Sequence, residues 1–146
     1  MNNVEIEKKM LRLAKDFIEK RYPSRWGGAA VLRTDKNNYL ISVAIETCNS
    51  GASLCIETGA ICEAHKLNER VTHSICLVRD NEIAEFKILT PCGICQERLM
   101  YWGNVKVAVT TDDNSLKFVS LSELQRFHWT TAYKNEKLEF YSDDRN

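Results

Sequence analysis

Short apolar, β-branched runs alternate along this chain with longer runs whose apolar residues recur at helical spacing, and few architectures accommodate that alternation. Val4, Met10, Leu11, Ala14, Phe17 and Ile18 fall near one helical face with Lys and Glu between them, which predicts an amphipathic helix over residues 4–20. "RYPSRWGG" ends it, because Pro23 cannot continue a helix, and Gly27-Gly28 lets the chain turn closely into a first strand, "AAVLRT". The turn signal "DKNN" then leads to "YLISVAIE", so these two runs read as an antiparallel hairpin. "CNSGAS" breaks the second strand, and Leu54, Ala60, Ile61, Ala64 and Leu67 predict a second helix ending near Asn68. "HSICLVRD" is apolar enough to be a central strand. "NEIAEFKIL" leads to "TPCGICQERLMYW", where Pro91 favours the first turn of a helix reaching about Trp102. "VKVAVTT" and "LKFVSL", joined by "DDNS", are the fourth and fifth strands. "SLSELQRF" and "TTAYKNEKLEFY" read as short helices and "SDDRN" as a frayed end. Strands alternating with helices predict an α/β domain with helices on both faces of one sheet.

Size and charge narrow the function classes. At 146 residues the chain reads as one domain spanning 1–146, large enough to bury a core without disulfide staples. Lys+Arg and Asp+Glu are equal at 20 each, so no global basic field recruits a nucleic-acid polymer or an anionic membrane. The default partner is a small molecule or another protein. No run approaches the roughly 18 apolar residues of a membrane span, and "MNNVEIEKKMLRLAKDF" is too charged for a signal peptide, so the protein reads as cytoplasmic. Six cysteines in such a chain are expected to stay reduced, which favours metal ligation or packing over a disulfide framework.

The cysteine pattern carries the chemistry. Cys92 and Cys95 form a C-x-x-C directly after Pro91, a spacing that lets one tetrahedral metal bind at a helix N-terminus. Cys55 would supply a third thiolate from the start of the other long helix, leaving a fourth tetrahedral position for water, as catalytic zinc sites do. Zinc can lower the pKa of bound water from about 15.7 towards about 7. Glu57, two residues beyond Cys55, is placed to take that proton and redeliver it to a substrate nitrogen. Three thiolates make the centre anionic; two helix N-termini and Arg98, one turn beyond Cys95, are expected to offset that charge.

C-x-E followed by P-C-x-x-C is the signature of the zinc nucleobase deaminases in their all-cysteine form. Across "LCIETGAI", "TPCGICQERL", "YPSRWGGAAVL" and "ELQRF", roughly residues 20–129, the sequence resembles the small tetrameric cytidine deaminases and blasticidin-S deaminases. The resemblance implies a three-layer α/β/α sandwich with a mixed five-stranded sheet, Zn2+ on Cys55, Cys92 and Cys95, and Glu57 as proton shuttle. It implies hydrolytic deamination at a cytosine-like C4, with Glu57 protonating N3 and then the departing amine. It also implies a homotetramer, a nucleoside as substrate, the Thr90 backbone carbonyl as acceptor for the amino group, and Phe127 over a neighbouring subunit's pocket. Two departures bear on the substrate. The family's ribose-holding Asn-x-Glu stands here as Ala44-Ile45-Glu46, keeping Glu46 and losing the amide, and its base-stacking phenylalanine is replaced by Trp26. The arginine that usually follows the catalytic glutamate is Thr58, a charge Arg98 is expected to supply.

Other readings stand beside this one. The ring could be blasticidin S or another modified aminopyrimidine instead of cytidine or deoxycytidine. A non-catalytic zinc protein on the same fold is a second alternative, although a closed structural site wants a fourth protein ligand and has no need of Glu57. Cys48, Cys62 and Cys76 read as packing cysteines. His65 and His73 read as structural or surface groups.

Overall fold

The computed structural model describes residues 1–133. Asn2 caps the first helix, α1 (Asn3–Arg21), through a capping box: its side chain accepts from the Glu5 N–H at 2.9 Å while the Glu5 carboxylate accepts from the Asn2 N–H at 3.1 Å. Ile6, Met10, Ala14 and Ile18, four residues apart, form its buried stripe. Val4 is outside that stripe and 56% exposed, so Ile6 takes the place expected of it.

The strands are β1 (Gly27–Thr34), β2 (Tyr39–Ser42), β3 (Val71–Arg79), β4 (Lys87–Ile88), β5 (Lys106–Ala108) and β6 (Phe118–Ser120). They form one mixed sheet in the order β2-β1-β3-β5-β6, with β4 also paired to β3. Only β3 and β5 are parallel among the five pairings; the others are antiparallel. The expected five strands are all present, and the sixth, β4, comes from "NEIAEFKIL", too short a pairing to leave a period-2 signal. The β1–β2 hairpin closes on Asn37, whose φ of 62° lies in the left-handed region that asparagine tolerates. β2 ends at Ser42, earlier than expected, and Ala44-Ile45-Glu46 runs on as irregular chain held by one bridge, Ile45 to Leu54.

Alternation along β1 and β3 sorts the core into two layers. Ala29, Val31, Ile75 and Leu77 face α1 together with Ile6, Met10, Ala14 and Ile18. Ala30, Leu32, Cys76 and Val78 face α2 (Thr58–Leu67) and α3 (Gly93–Leu99) together with Ala60, Ile61, Ala64, Cys95 and Leu99. The result is the expected α/β/α layering. β1 and β3 carry helices on both faces and are accordingly buried almost throughout.

α2 ends at Asn68, left-handed with φ 53°, as the sequence predicts. α3 is shorter than expected. Pro91 precedes its cap residue, Cys92, and the segment Met100–Trp102 tightens into a 3-10 turn. A four-residue helix, α4 (Leu121–Leu124), and a 3-10 turn at Trp129–Tyr133 follow β6. The rest of "TTAYKNEKLEFY" and "SDDRN" lie outside the described residues.

Candidate metal centre and active site

α2 lies between β2 and β3, α3 lies between β4 and β5, and the two helices pack in the same layer against one face of the sheet. The two helix starts bring distant cysteines together. Cys55, three residues before α2, and Cys92 and Cys95, at the cap and third residue of α3, place their sulfurs within 4.8 Å of one another. Cys55 Sγ and Cys92 Sγ are 3.3 Å apart. A zinc ion at about 2.3 Å from each sulfur needs sulfurs about 3.8 Å apart, so the triad fits that ion with small adjustment. Soft thiolates are also the donor type that selects zinc.

Local structure explains the placement. The Ser42 hydroxyl donates to the Ile56 carbonyl at 2.6 Å, anchoring the peptide between Cys55 and Glu57 to the end of β2. Gly59 lets α2 approach that strand: a Cβ there would stand 2.9 Å from Ser42 Cβ. Neither residue stands out in the sequence, since their meeting depends on where α2 packs.

The three thiols differ electrostatically. Burial pushes Cys92 up, but the Cys95 N–H, the hydrogen bond from Cys55 and the Ile94 N–H outweigh it, so Cys92 titrates below an ordinary thiol. Cys55 is raised, chiefly by its hydrogen bond to Cys92. Cys95 is fully buried and raised by that burial and by the nearby Glu57 charge. Glu57 itself is 4% exposed at the N-cap position of α2 and makes no cap bond to its own helix.

The other predicted residues divide. Arg98 reaches from α3 to α2, its Nη1 donating to Thr58 Oγ1 at 2.7 Å. Thr90 lies two residues before Cys92 and is pinned by reciprocal bonds with Thr110, at 3.1 Å from its own N–H and 2.9 Å to its hydroxyl. Trp26 is partly exposed just ahead of β1, and Glu46 is exposed beyond β2. Phe127 is 91% exposed on a groove shared with Gly93, Glu97 and His128. His128 bonds through Nε2 to Glu97 on α3 and through Nδ1 to Thr130 at 2.8 Å. The cavity of about 360 Å3 lined by Tyr101, Trp102, Asn104 and Leu121 lies at the far end of α3 and holds none of these residues.

Two packing assignments require correction. Cys48 and Cys62 are exposed, Cys62 because its position on α2 faces away from the sheet. Cys76 is buried as expected, and that burial, with the nearby Glu57 charge, raises its thiol above an ordinary one. His65 stacks on Tyr101 and Trp102, with ring centroids 4.5 and 4.7 Å away, and His73 is buried.

Fold and site together define a class: an α/β/α protein with a three-cysteine centre between the starts of two crossover helices. No protein-family model and no curated protein matches the chain. Among solved structures, the cytidine deaminase of Bacillus anthracis is 49% identical, the match covering 93% of this chain and 98% of that one with a TM-score of 0.88. The cytidine deaminases of Burkholderia pseudomallei and Mycobacterium tuberculosis are each 18% identical, cover 85% and 88% of this chain and 96% and 98% of their own, and share the fold at TM-scores of 0.63 and 0.61. The chain belongs to the cytidine deaminase family.

Proposed function

We propose that the protein is a zinc-dependent hydrolytic deaminase of cytidine, deoxycytidine or a related aminopyrimidine nucleoside, releasing ammonia. The observation that carries the reading is the convergence of Cys55, Cys92 and Cys95 beside the buried carboxylate of Glu57, in a chain 49% identical to a cytidine deaminase. Cys55, Cys92 and Cys95 would hold the metal. Zinc, when bound, supplies Lewis acidity and brings the pKa of a water towards about 7.

The residues of the chain do the rest. Among the described residues the cluster offers three ligating groups, so a zinc ion held by them would have room for a water. Glu57 takes one proton of the water and delivers it to N3 of the ring, then takes the second proton from the hydroxyl now on C4 and delivers it to the departing amine, so that water and an aminopyrimidine become a ring carbonyl and ammonia. Burial strengthens its interactions with the reacting atoms. The Thr90 carbonyl accepts from the exocyclic amine, and the paired bonds to Thr110 hold that peptide still. Arg98 and the N–H groups opening α3 offset the thiolate charge. Trp26 offers a ring face to the base and Glu46 a carboxylate to the sugar. The same reading carries a cytoplasmic homotetramer in which Phe127 serves a neighbouring copy's pocket.

A second ring class, blasticidin S or another modified aminopyrimidine, is favoured by one observation: the Ala44-Ile45-Glu46 segment leaves the sheet after Ser42 and offers no side-chain amide. The test is ammonia release by zinc-loaded protein from cytidine, deoxycytidine and blasticidin S, with Glu57→Gln in parallel. Turnover on one of them that disappears in the variant supports the reading. No release from any of them, with one zinc per chain bound, excludes these three substrates and leaves another aminated ring or a non-catalytic zinc protein.

A further inference from the structure

The cavity at the far end of α3, about 360 Å3 in volume, has the size of a small-molecule site and is lined by none of the metal-centre residues. Part of its lining is apolar and fixed. Trp102 is 3% exposed and Leu121 1%, and the Leu121 N–H donates to the Val105 carbonyl at 2.8 Å. Tyr101 stands edge-on to Trp102, with ring centroids 5.4 Å apart, and is itself partly open to solvent. The rest of the lining is of opposite character. Arg70, just ahead of β3, holds its Nη2 3.7 Å from where a Cβ on Gly103 would stand. Among the described residues no carboxylate pairs with that guanidinium; Asp35 accepts instead from the Arg70 main-chain N–H, at 3.2 Å. Asn104 Oδ1 accepts from the Ser122 N–H at 3.1 Å, which leaves Nδ2 as the free end of that amide. Gln125 adds a second amide, and no Asp or Glu lines the cavity.

We propose that this cavity binds a small organic anion, a carboxylate or phosphate carried on an apolar ring. An exposed arginine by itself asks for no ligand, because water satisfies it. Here the guanidinium stands beside tryptophan, tyrosine and leucine side chains, and a molecule of both characters serves both parts of the lining at once. Its ring leaves water against Trp102, Tyr101 and Leu121, which supplies affinity. Its oxyanion takes paired N–H donors from Arg70, whose planar fork fits carboxylate and phosphate alike, and a further donor from the Asn104 amide. The lining also selects by sign: a cation is repelled by Arg70, and a neutral ring strips water from the guanidinium without replacing it. The inference goes beyond the deaminase reading and stands or falls without it, since the cavity and the cysteine triad share no residue.

Two anions serve as probes: uridine monophosphate, which brings a phosphate and has no amino group to lose, and benzoate, a carboxylate on a bare ring. Uridine is the neutral control. The readout is the Trp102 indole N–H in proton–nitrogen correlation spectra of the full chain, assigned with Trp102→Phe. At least one anion is expected to shift that signal saturably while uridine leaves it in place; a response to the phosphate, the carboxylate or both identifies the oxyanion within the class. Arg70→Gln should weaken binding about tenfold to a hundredfold, the loss expected for hydrogen bonds from a charged donor. Arg70 is exposed, so the variant is expected to fold, and its own spectrum reports whether it has. Arg126→Gln, at an exposed arginine outside the cavity, should bind as the wild type does. No shift with either anion, a shift with uridine equal to that with its monophosphate, or unchanged affinity in folded Arg70→Gln would each overturn the inference.

Discussion

Arg98 Nη1 donates to the Thr58 hydroxyl at 2.7 Å across the junction of α3 and α2. The guanidinium thus stands beside the residue that follows Glu57, where the chain has threonine in place of the arginine usual in the family. Arg98→Ala is expected to lower zinc affinity and kcat by about 10-fold to 100-fold, the range for a lost outer-shell donor, and Thr58→Val by less, because the cation remains. Competitive zinc chelation followed by ammonia-release kinetics checks both. Unaltered zinc affinity in Arg98→Ala would show that the guanidinium serves only to tie the helices together.

Cys92 and Cys95 should respond differently to the same substitution. Cys92 is exposed at the head of α3, whereas Cys95 is fully buried against the sheet. Serine at either position is expected to abolish stoichiometric zinc. Cys95→Ser additionally buries a hydroxyl among apolar side chains and should destabilise the metal-free protein by roughly 1–3 kcal/mol. Thermal unfolding of the metal-free variants separates the two, and a shared Tm would contradict the packing role of Cys95.

Gly59 is the contact on which the placement of the site depends. Its missing Cβ leaves room for Ser42, which in turn binds the Ile56 carbonyl between Cys55 and Glu57. Gly59→Val is expected to cost about 1–3 kcal/mol of stability through overpacking and to lower kcat, since the first turn of α2 must lift away from β2. Urea unfolding with kinetics on the same preparation tests this. A stable variant with full kcat would show that the turn relocates without disturbing Glu57.

His73 makes stability depend on mild acid. Burial first, then the charges of Arg33 and Lys106, lowers its pKa to about 4, and its Nε2 is buried with no hydrogen-bond partner. The unfolded chain takes up this proton near pH 6.5 and the folded protein only near 4, so the unfolded state binds more protons between those values. Stability contributed by His73 is therefore full above pH 6.5 and declines as pH falls toward 4, by up to about 3 kcal/mol. His73→Leu should flatten that part of the pH–stability curve measured by urea unfolding. An unchanged slope would assign the acid sensitivity to other groups.

How much of this was legible in sequence depended on how local each feature is. The span of α1, the hairpin turn at Asn37 and the stop at Asn68 are written in adjacent residues and appear where the sequence places them, although Ile6 and not Val4 opens the buried stripe of α1. The boundaries that shifted are those decided by distant partners. β2 gives up at Ser42 because the chain crosses to Leu54, and β4 exists only because β3 has an edge to pair with there.

The same division runs through the site. The sequence by itself determined which atoms are available: three thiols, a carboxylate two residues from one of them, and an arginine one turn from another. That they meet was decided by tertiary structure, since Cys55 and Cys92 are 37 residues apart and only the common sheet brings the starts of α2 and α3 together. Cys76 shows the limit most clearly. Its apolar neighbours identify a buried strand, but that the Glu57 charge lies near its thiol depends on which helix start packs over it. Spacing along a chain encodes local period, turns and donor chemistry; contacts between layers follow from packing, which no single segment specifies.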